Sequence, residues 1–405
     1  MSKQTVPMHG FAAPGFEPVQ AEFARNFAER GEIGAACTIY HQGKKVVDLW
    51  GGYRDKHTRA PWEEDTMVLV FSSTKGFSGL ALALANSRGY FDYDAPVADY
   101  WPEFAQNGKE RITIRQLCAH EAGLAVIEEP LTLDILAHKD KDALARILAR
   151  QRSLWEPGTR HGYHAFSLGW YQSELMRRVD PHHRTLGQFF QDELATPLGL
   201  DIYIGLPSTI PGERIATVTE PGFLPKILGM PIGMLFSALN PRSMFIRTVN
   251  PPIRSNLVLN TPAFRAVEIP SAGGIAQASS IARVYSVYAT DGKELALSER
   301  TLAALKAPAQ LPNGGWRDIL LQRDIAYSLG FLKPFEGWRF GSSYAAFGGA
   351  GSGGSFGFAD PDAQVGYAYV MNHQGVHVLD EPREKIMRDT FYQCLSRVTA
   401  QPMSA

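Results

Sequence analysis

Cysteine is scarce in this chain of 405 residues: Cys37, Cys118 and Cys394 are its only three, far apart and each set among apolar neighbours. An odd count without metal-ligand spacing argues against a disulfide framework or a zinc site and for buried free thiols in a reducing compartment. A bias of charge is lacking too. Lysine and arginine number 40 against 41 aspartates and glutamates, a net charge of −1, so no basic excess exists to neutralise phosphates and no nucleic-acid partner is expected. The short runs Lys139–Asp142 and Arg383–Lys385 carry both signs and read as solvated helix faces. No apolar run reaches the length of a membrane span. The nearest, residues 229–236 (GMPIGMLF), is broken by Pro231 and Gly233. The first ten residues hold no apolar h-region, so no signal peptide is expected, and a soluble, cytoplasmic protein is. There is no internal repeat and no low-complexity tract. Hydrophobic residues at 45% and charged ones at 20% are ordinary for a globular protein. The length suits one large domain or two interlocked ones with a sizeable core; nothing in the sequence sets an oligomeric state.

What the chain has is a stretch around which the rest can be read. Met67–Val70 approach Ser72 as an extended apolar segment, and Phe77–Ala85 are dense in helix formers. Ser72 then stands at a helix start with Lys75 one turn on and on the same face. A serine hydroxyl is a poor nucleophile until a base takes its proton, and a lysine at i+3 reaches it. The helix start also directs free N–H groups and a positive dipole end towards a developing oxyanion. The lysine must be neutral to act, which requires desolvation or a neighbouring cation to depress its pKa. The plainer reading makes Ser72 an N-cap and Lys75 a solvated first-turn charge; Ser-x-x-Lys arises by accident about once in a chain of this length. The helix that follows is apolar nearly all round and reads as buried, and a Ser and a Lys opening a buried helix invite a functional explanation.

Around this stretch the pattern is mixed. Residues 17–30 place Val19, Phe23, Phe27 and Ala28 at helical spacing, and residues 34–40 and 45–50 read as a β-hairpin turning over 41–44. Residues 90–201 read as helices between turns: a turn at 91–96, a short helix over 114–120 ending at Gly123, and helical spacing over 131–152. A break at 155–159 and helices over 166–178 and 186–198 follow. Residues 202–270, rich in proline and glycine, read as a lid or pocket wall, with 229–236 as the wall of an acyl pocket. Helices return at 279–288 and 298–306. Strands at 326–331, 343–347, 354–358 and 364–371 and a helix over 381–398 close the chain. The predicted fold class is α/β (α+β). An antiparallel sheet flanked by helices comes from residues 1–75 and 310–405, a mostly helical domain 76–309 is inserted, and the site lies between.

Other chemistry-bearing residues are less distinctive. Tyr163, in the loop Pro157–Ala165, follows a Pro-Gly turn; its phenol can act as acid or base if a nearby lysine lowers its pKa, or it can simply pack its ring and bond to backbone. The run Phe347–Gly357 is glycine-rich beside a strand, which permits close approach of backbone. It lacks the lysine of a phosphate loop. Within it, Gly353–Gly357 fits Gly-x-Ser-x-Gly, but a nucleophile elbow needs a helix after the serine, and strand then turn follow here, so Ser355 reads as a decoy. His182 and His183 are adjacent and point apart, and His161 and His164 lack a third ligand, so no metal site is expected. His120 reads as a structural, hydrogen-bonding histidine.

Ser72-Ser73-Thr74-Lys75, the segment Ile114–Leu124 (IRQLCAHEAGL), the Tyr163 loop and the late glycine-rich strand follow one another in order within residues 15–395. Together they resemble the serine β-lactamase and penicillin-binding-protein superfamily, and within it the class C-like branch and its family VIII carboxylesterases. The resemblance implies a β-lactamase/transpeptidase-like fold and Ser72 as the nucleophile of an acyl-enzyme, with Lys75 and Tyr163 sharing the proton work. It also implies an oxyanion hole of the backbone N–H groups of Ser72 and Ser352. Two departures stand out. Tyr163-His164-Ala165 replaces Tyr-x-Asn, and Gly349-Ala350-Gly351 replaces Lys-Thr-Gly. Gly349 and Gly351 then stand at the implied substrate-binding positions without the cation that would pair with a substrate carboxylate. A neutral ester fits better than an anionic β-lactam or peptide terminus. The reading is a serine carboxylesterase acting on small-molecule esters by double displacement, with no cofactor and no metal. A β-lactamase or DD-peptidase-like amidase, an acyltransferase and an inactive ligand-binding relative are the alternatives; the intact Ser72, Lys75 and Tyr163 weigh against the last.

Overall fold

A computed structural model describes residues 6–137, 140, 142–222, 232–251, 253–254, 258–377 and 379–400. Lys139 and Lys141 of the first charge run, and 229–231 of the expected acyl-pocket wall, lie outside these residues. One antiparallel sheet organises the molecule. Its strands are β1 (Met8–Ala12), β2 (Gly34–His41), β3 (Lys44–Gly52), β4 (Ala326–Ser328), β5 (Phe331–Lys333), β6 (Phe347–Ala350), β7 (Phe356–Asp360) and β8 (Val365–Met371). They lie in the order β1-β3-β2-β8-β7-β6-β5-β4. Gln42 and Gly43, at φ 51° and 74°, make the tight turn of the predicted hairpin. The two ends of the chain join at the middle of the sheet, where β8 pairs with β2 from Val365↔His41 to Met371↔Ala35.

Every residue of β8 is buried because both faces of the sheet are covered. Helices α1 (Glu17–Glu29) and α5 (Pro382–Ala400) pack on one face, enclosing Val19, Phe23, Tyr367, Tyr369 and Phe391. On the other, α4 (Ala278–Ala289) lies so close to β8 that a Cβ at Gly366 would come within 2.4 Å of the Ala282 oxygen; glycine is needed there. α4 belongs to the segment 76–309, so packing on the sheet crosses the boundary drawn along the chain.

The apolar stretch after Ser72 forms α2 (Thr74–Ser87), buried from Thr74 to Ala85 as its composition predicts. It packs against β5, β6, α3 (Ser167–Val179) and the helix Leu186–Phe190. Burying Phe77, Leu80, Leu82 and Leu84 contributes about 1.5–3 kcal/mol each. The three cysteines are buried and unpaired. Among the described residues no helix is long and apolar enough to cross a membrane.

Several predicted elements shift. The stretch 326–331 is not one strand but the hairpin β4–β5, with Leu329 and Gly330 at φ 53° and 92°. The strands placed at 343–347 and 354–358 run from Phe347 and Phe356 instead. Residues 131–152 break into a two-residue strand and the helices Leu133–Leu136 and Ala143–Arg150. The 186–198 helix contains a π turn at Gln191–Ala195. The segment 202–270 contains the strand Ile202–Ile204 and the helices Ile232–Leu239, Met244–Val249 and Pro262–Ala266.

Candidate active site

The strand Val68–Leu69, paired with Gly274–Ala276, delivers the chain to a sharp turn. Phe71 sits at φ 47°, a strained conformation for an aromatic residue and one that recurs at functional sites. A 3-10 turn over Phe71–Ser73 precedes α2, so the α-helix begins two residues later than predicted. The turn is tied down by Thr74, whose hydroxyl donates to the Phe71 carbonyl and accepts the Gly274 N–H at 2.8 Å. Ser72 makes no capping bond and Lys75 is only 5% exposed, so the plainer reading of an N-cap and a solvated charge fails.

Lys75 Nζ lies 3.4 Å from Ser72 Oγ, 2.7 Å from the Ala165 carbonyl oxygen and 2.9 Å from that of Ser271. Burial pushes its pKa well below the ordinary lysine value. A neutral amine has two N–H donors and one lone pair. The two carbonyls take the donors and leave the lone pair for the serine proton.

The Tyr163 phenol stands beside the Ser72 side chain on the cavity wall. Lys75 Nζ lies over the Tyr163 ring, 4.6 Å from its centroid. The expectation that the lysine lowers the phenol's pKa is not met. Burial raises it well above the usual tyrosine value, and the neighbouring Ser72 side chain offsets this only in part. Tyr163 is therefore a neutral hydroxyl.

Two neighbours hold the Tyr163 loop. His120 behaves as predicted: its Nδ1 accepts the His164 N–H at 2.9 Å, which leaves its proton on Nε2, and its ring packs on Tyr163 and Tyr327. Asp318, fully buried, was not anticipated. It accepts the N–H groups of Leu320 and Leu321, each at 2.8 Å, and the Tyr327 hydroxyl at 2.9 Å, and it faces the backbone of Tyr163. A lone aspartate between Arg317 and Ile319 carries no sequence signal for this. His164 turns inward, donating to the Gly162 oxygen and accepting the Leu124 N–H.

Across from the Ser72 turn runs the end of β6. Gly349 faces α2, and a Cβ there would lie 3.1 Å from both the Gly76 nitrogen and the Ser73 oxygen. A Cβ at Gly351 would come within 2.2 Å of the Val70 oxygen, so only glycine allows the two segments to touch. Ser352 is exposed and follows the last ladder pair, Ala350↔Phe356. Ser355 is buried and followed by a strand, not a helix; its hydroxyl donates to the Val70 carbonyl at 2.8 Å.

These parts surround a cavity of about 450 Å³ lined by Ser72, Lys75, His120, Tyr163 and the backbone of residues 348–353. Its remaining wall is largely apolar and includes Phe245, Val249, Leu321, Ile325 and Phe331. Met234 lines it as well, from the described part (232–236) of the predicted acyl-pocket wall. Among the described lining residues Lys75 is the one lysine or arginine. The site thus unites Ser72, Lys75, Tyr163, Gly349, Gly351 and Ser352 from segments far apart in the chain.

The β-lactamase family pattern matches residues 21–390. The esterase/β-lactamase LipL of Mycobacterium tuberculosis is 32% identical over 367 residues, 90% of this chain and 82% of that protein. A crystal structure of a family VIII carboxylesterase is 33% identical, with a TM-score of 0.83 over 96% of this chain and 100% of its own. A penicillin-binding-protein homologue from Caulobacter crescentus, also 33% identical, gives 0.82 over the same shares. A match of that extent, on a fold that brings a serine, a buried lysine and a tyrosine into one cavity, means that the chain belongs to the β-lactamase family and is an enzyme of the serine-hydrolase type.

Proposed function

We propose that the protein is a serine carboxylesterase that hydrolyses small neutral esters through an acyl-enzyme on Ser72. The observation that carries this is the setting of Lys75: buried, with two carbonyl acceptors and Ser72 Oγ around one nitrogen. Neutral Lys75 takes the Ser72 proton as Oγ attacks the ester carbonyl. The negative charge that develops on the carbonyl oxygen meets the N–H groups of Ser72, unpartnered in the first turn, and of Ser352. Collapse breaks the bond to the alkoxide, which takes a proton from the Tyr163 hydroxyl while Tyr163 regains one from the Lys75 ammonium. Water then attacks the acyl-enzyme. With the Tyr163 phenol held neutral, activation of that water falls to Lys75 and Tyr163 serves as relay.

The choice of ester rests on the cavity. Its wall is largely apolar and Gly349 supplies no cation for a carboxylate; relatives named as esterases and as a family VIII carboxylesterase support it. The reading keeps the division into 1–75 with 310–405 and 76–309, supported by a lining drawn from both. It also keeps a cytoplasmic location, supported by three buried, unpaired thiols. The direct test is intact-mass analysis after brief exposure to an activated short-chain ester or a serine-directed phosphonate, with the adduct mapped by peptide. An adduct on Ser72, lost in Ser72→Ala, is expected; one on Ser355, or none on folded protein, overturns the reading.

A further inference from the structure

The Gly-x-Ser-x-Gly segment is idle in the chemistry above, yet its serine is tied to both halves of the oxyanion site. The Ser355 hydroxyl donates to the Val70 carbonyl, which also accepts the Ser73 N–H at 3.1 Å and immediately precedes the strained Phe71. The Ser355 carbonyl accepts the Ser73 hydroxyl at 3.0 Å, and the two hydroxyl oxygens are 3.1 Å apart. That same carbonyl accepts the Gly351 N–H at 2.7 Å, and the Gly354 N–H reaches the Gly351 oxygen at 3.1 Å, closing the turn that carries Ser352. One buried residue thus bonds to the turn that presents Ser72 and to the turn that presents Ser352.

We propose that Ser355 is a positioning residue that sets the separation of the Ser72 and Ser352 N–H groups, and so the fit of the site to the tetrahedral intermediate. This rests on the esterase reading above. The Ser72 turn is strained at Phe71, and it is held from one side by Thr74 and from the other, through Val70, by Ser355. The glycine at 351 lets the two turns touch, since a Cβ there would lie 2.3 Å from Ser355 Oγ. The Ser355 hydroxyl closes the gap with a hydrogen bond directed at the residue before the strain. Oxyanion donors act only when they are aimed at the charge that develops, so a displacement too small to unfold the site lowers the rate. It leaves substrate binding in the ground state nearly untouched, because the apolar wall that holds the ester is elsewhere.

The experiment compares wild type, Ser355→Ala and Ser73→Ala on p-nitrophenyl butyrate. It also measures inhibition by phenylboronic acid, whose tetrahedral serine adduct mimics the intermediate, and phosphonate labelling of Ser72. Ser355→Ala is expected to lose tenfold to 100-fold in kcat with KM within threefold, and to lose boronate affinity by a factor similar to kcat. Ser73→Ala, which removes the other hydroxyl of the clasp, is expected to show the same split to a smaller degree; it decides the matter if Ser355→Ala does not yield folded protein. Values of kcat and boronate affinity within threefold of wild type overturn the inference, as does a rise of KM in step with the loss of kcat, which marks general loosening. Wild-type enzyme that the phosphonate labels nowhere overturns the esterase reading itself, and a Ser72 label on all three proteins separates the two.

Discussion

At the scale of single residues the proposed chemistry depends on one nitrogen being neutral. Lys75 is desolvated, so its proton leaves well below the ordinary lysine value. The proposed mechanism requires the deprotonated form. It is expected to rise with pH through that depressed pKa and then level, a limb read from kcat/KM against pH. Lys75→Arg keeps a cation in place but cannot release its proton, and a loss of about 10³-fold or more in kcat with retained fold is expected. Tyr163→Phe removes the relay but not the base, so a smaller loss, about 10²- to 10⁴-fold, is expected in the same assay. The pair Ser72 and Lys75 was legible in the sequence because a helix brings i and i+3 together whatever surrounds it. The state of Tyr163 was not, since it depends on how many apolar atoms close over the phenol. Asp318 was not legible either: its three donors come from residues 320, 321 and 327, it faces the backbone of residue 163, and no spacing announces that meeting.

Elements behave alike in this respect. α2, α1, α5 and the β2–β3 hairpin were readable from periodicity and turn chemistry, whereas the late strands slipped by two to four residues. Glycine explains the slip: Phe347–Gly357 has too few side chains to alternate, so register there is set by contact with α2 and α4. Those contacts can be tested. A Cβ at Gly76 would meet the Tyr285 hydroxyl at 2.0 Å, whereas one at Gly212 would meet nothing within 4 Å. Gly76→Ala is expected to cost about 1–3 kcal/mol in urea denaturation, and Gly212→Ala to stay within about 0.5 kcal/mol of wild type. The Tyr163 loop adds a pH term. Burial lowers the pKa of His164 to about 3 and of His161 to about 4, so both are neutral in the folded protein. The unfolded chain takes up protons near 6.5, before the folded one does. Their contribution is whole above pH 6.5 and is lost as pH falls towards 4. Glu121, raised to about 7 by burial, works in the opposite sense between 4.5 and 7. The comparison that isolates the histidine is the fall of Tm from pH 6.5 to 4, which is expected to be shallower in His164→Gln than in wild type.

For the whole molecule, the joining of the two chain ends at β2 and β8 sets the end of β6, an interior strand between β7 and β5, against the first turn of α2, and the cavity opens between them. What enters is governed by a wall with little charge. An ester whose acyl group ends in a carboxylate must shed water there without meeting a lysine or arginine other than the desolvated Lys75 among the described lining residues, at a cost of several kcal/mol. A neutral butyrate ester is therefore expected to exceed the matching hemisuccinate ester by about 10²- to 10³-fold in kcat/KM, measured with one leaving group; equal values would contradict the apolar cavity as the basis of selection. The missing cation is not a detached feature that a single substitution restores. Gly349 abuts the Gly76 nitrogen and the Ser73 oxygen at Cβ distances of 3.1 Å, so a side chain added there presses on the same turn that carries Ser72. Gly349→Lys is expected to lower kcat on neutral esters even where it improves KM for the hemisuccinate. On the proposed reading, substrate charge preference and the placement of Ser72 are thus bound together through the packing of β6 on α2.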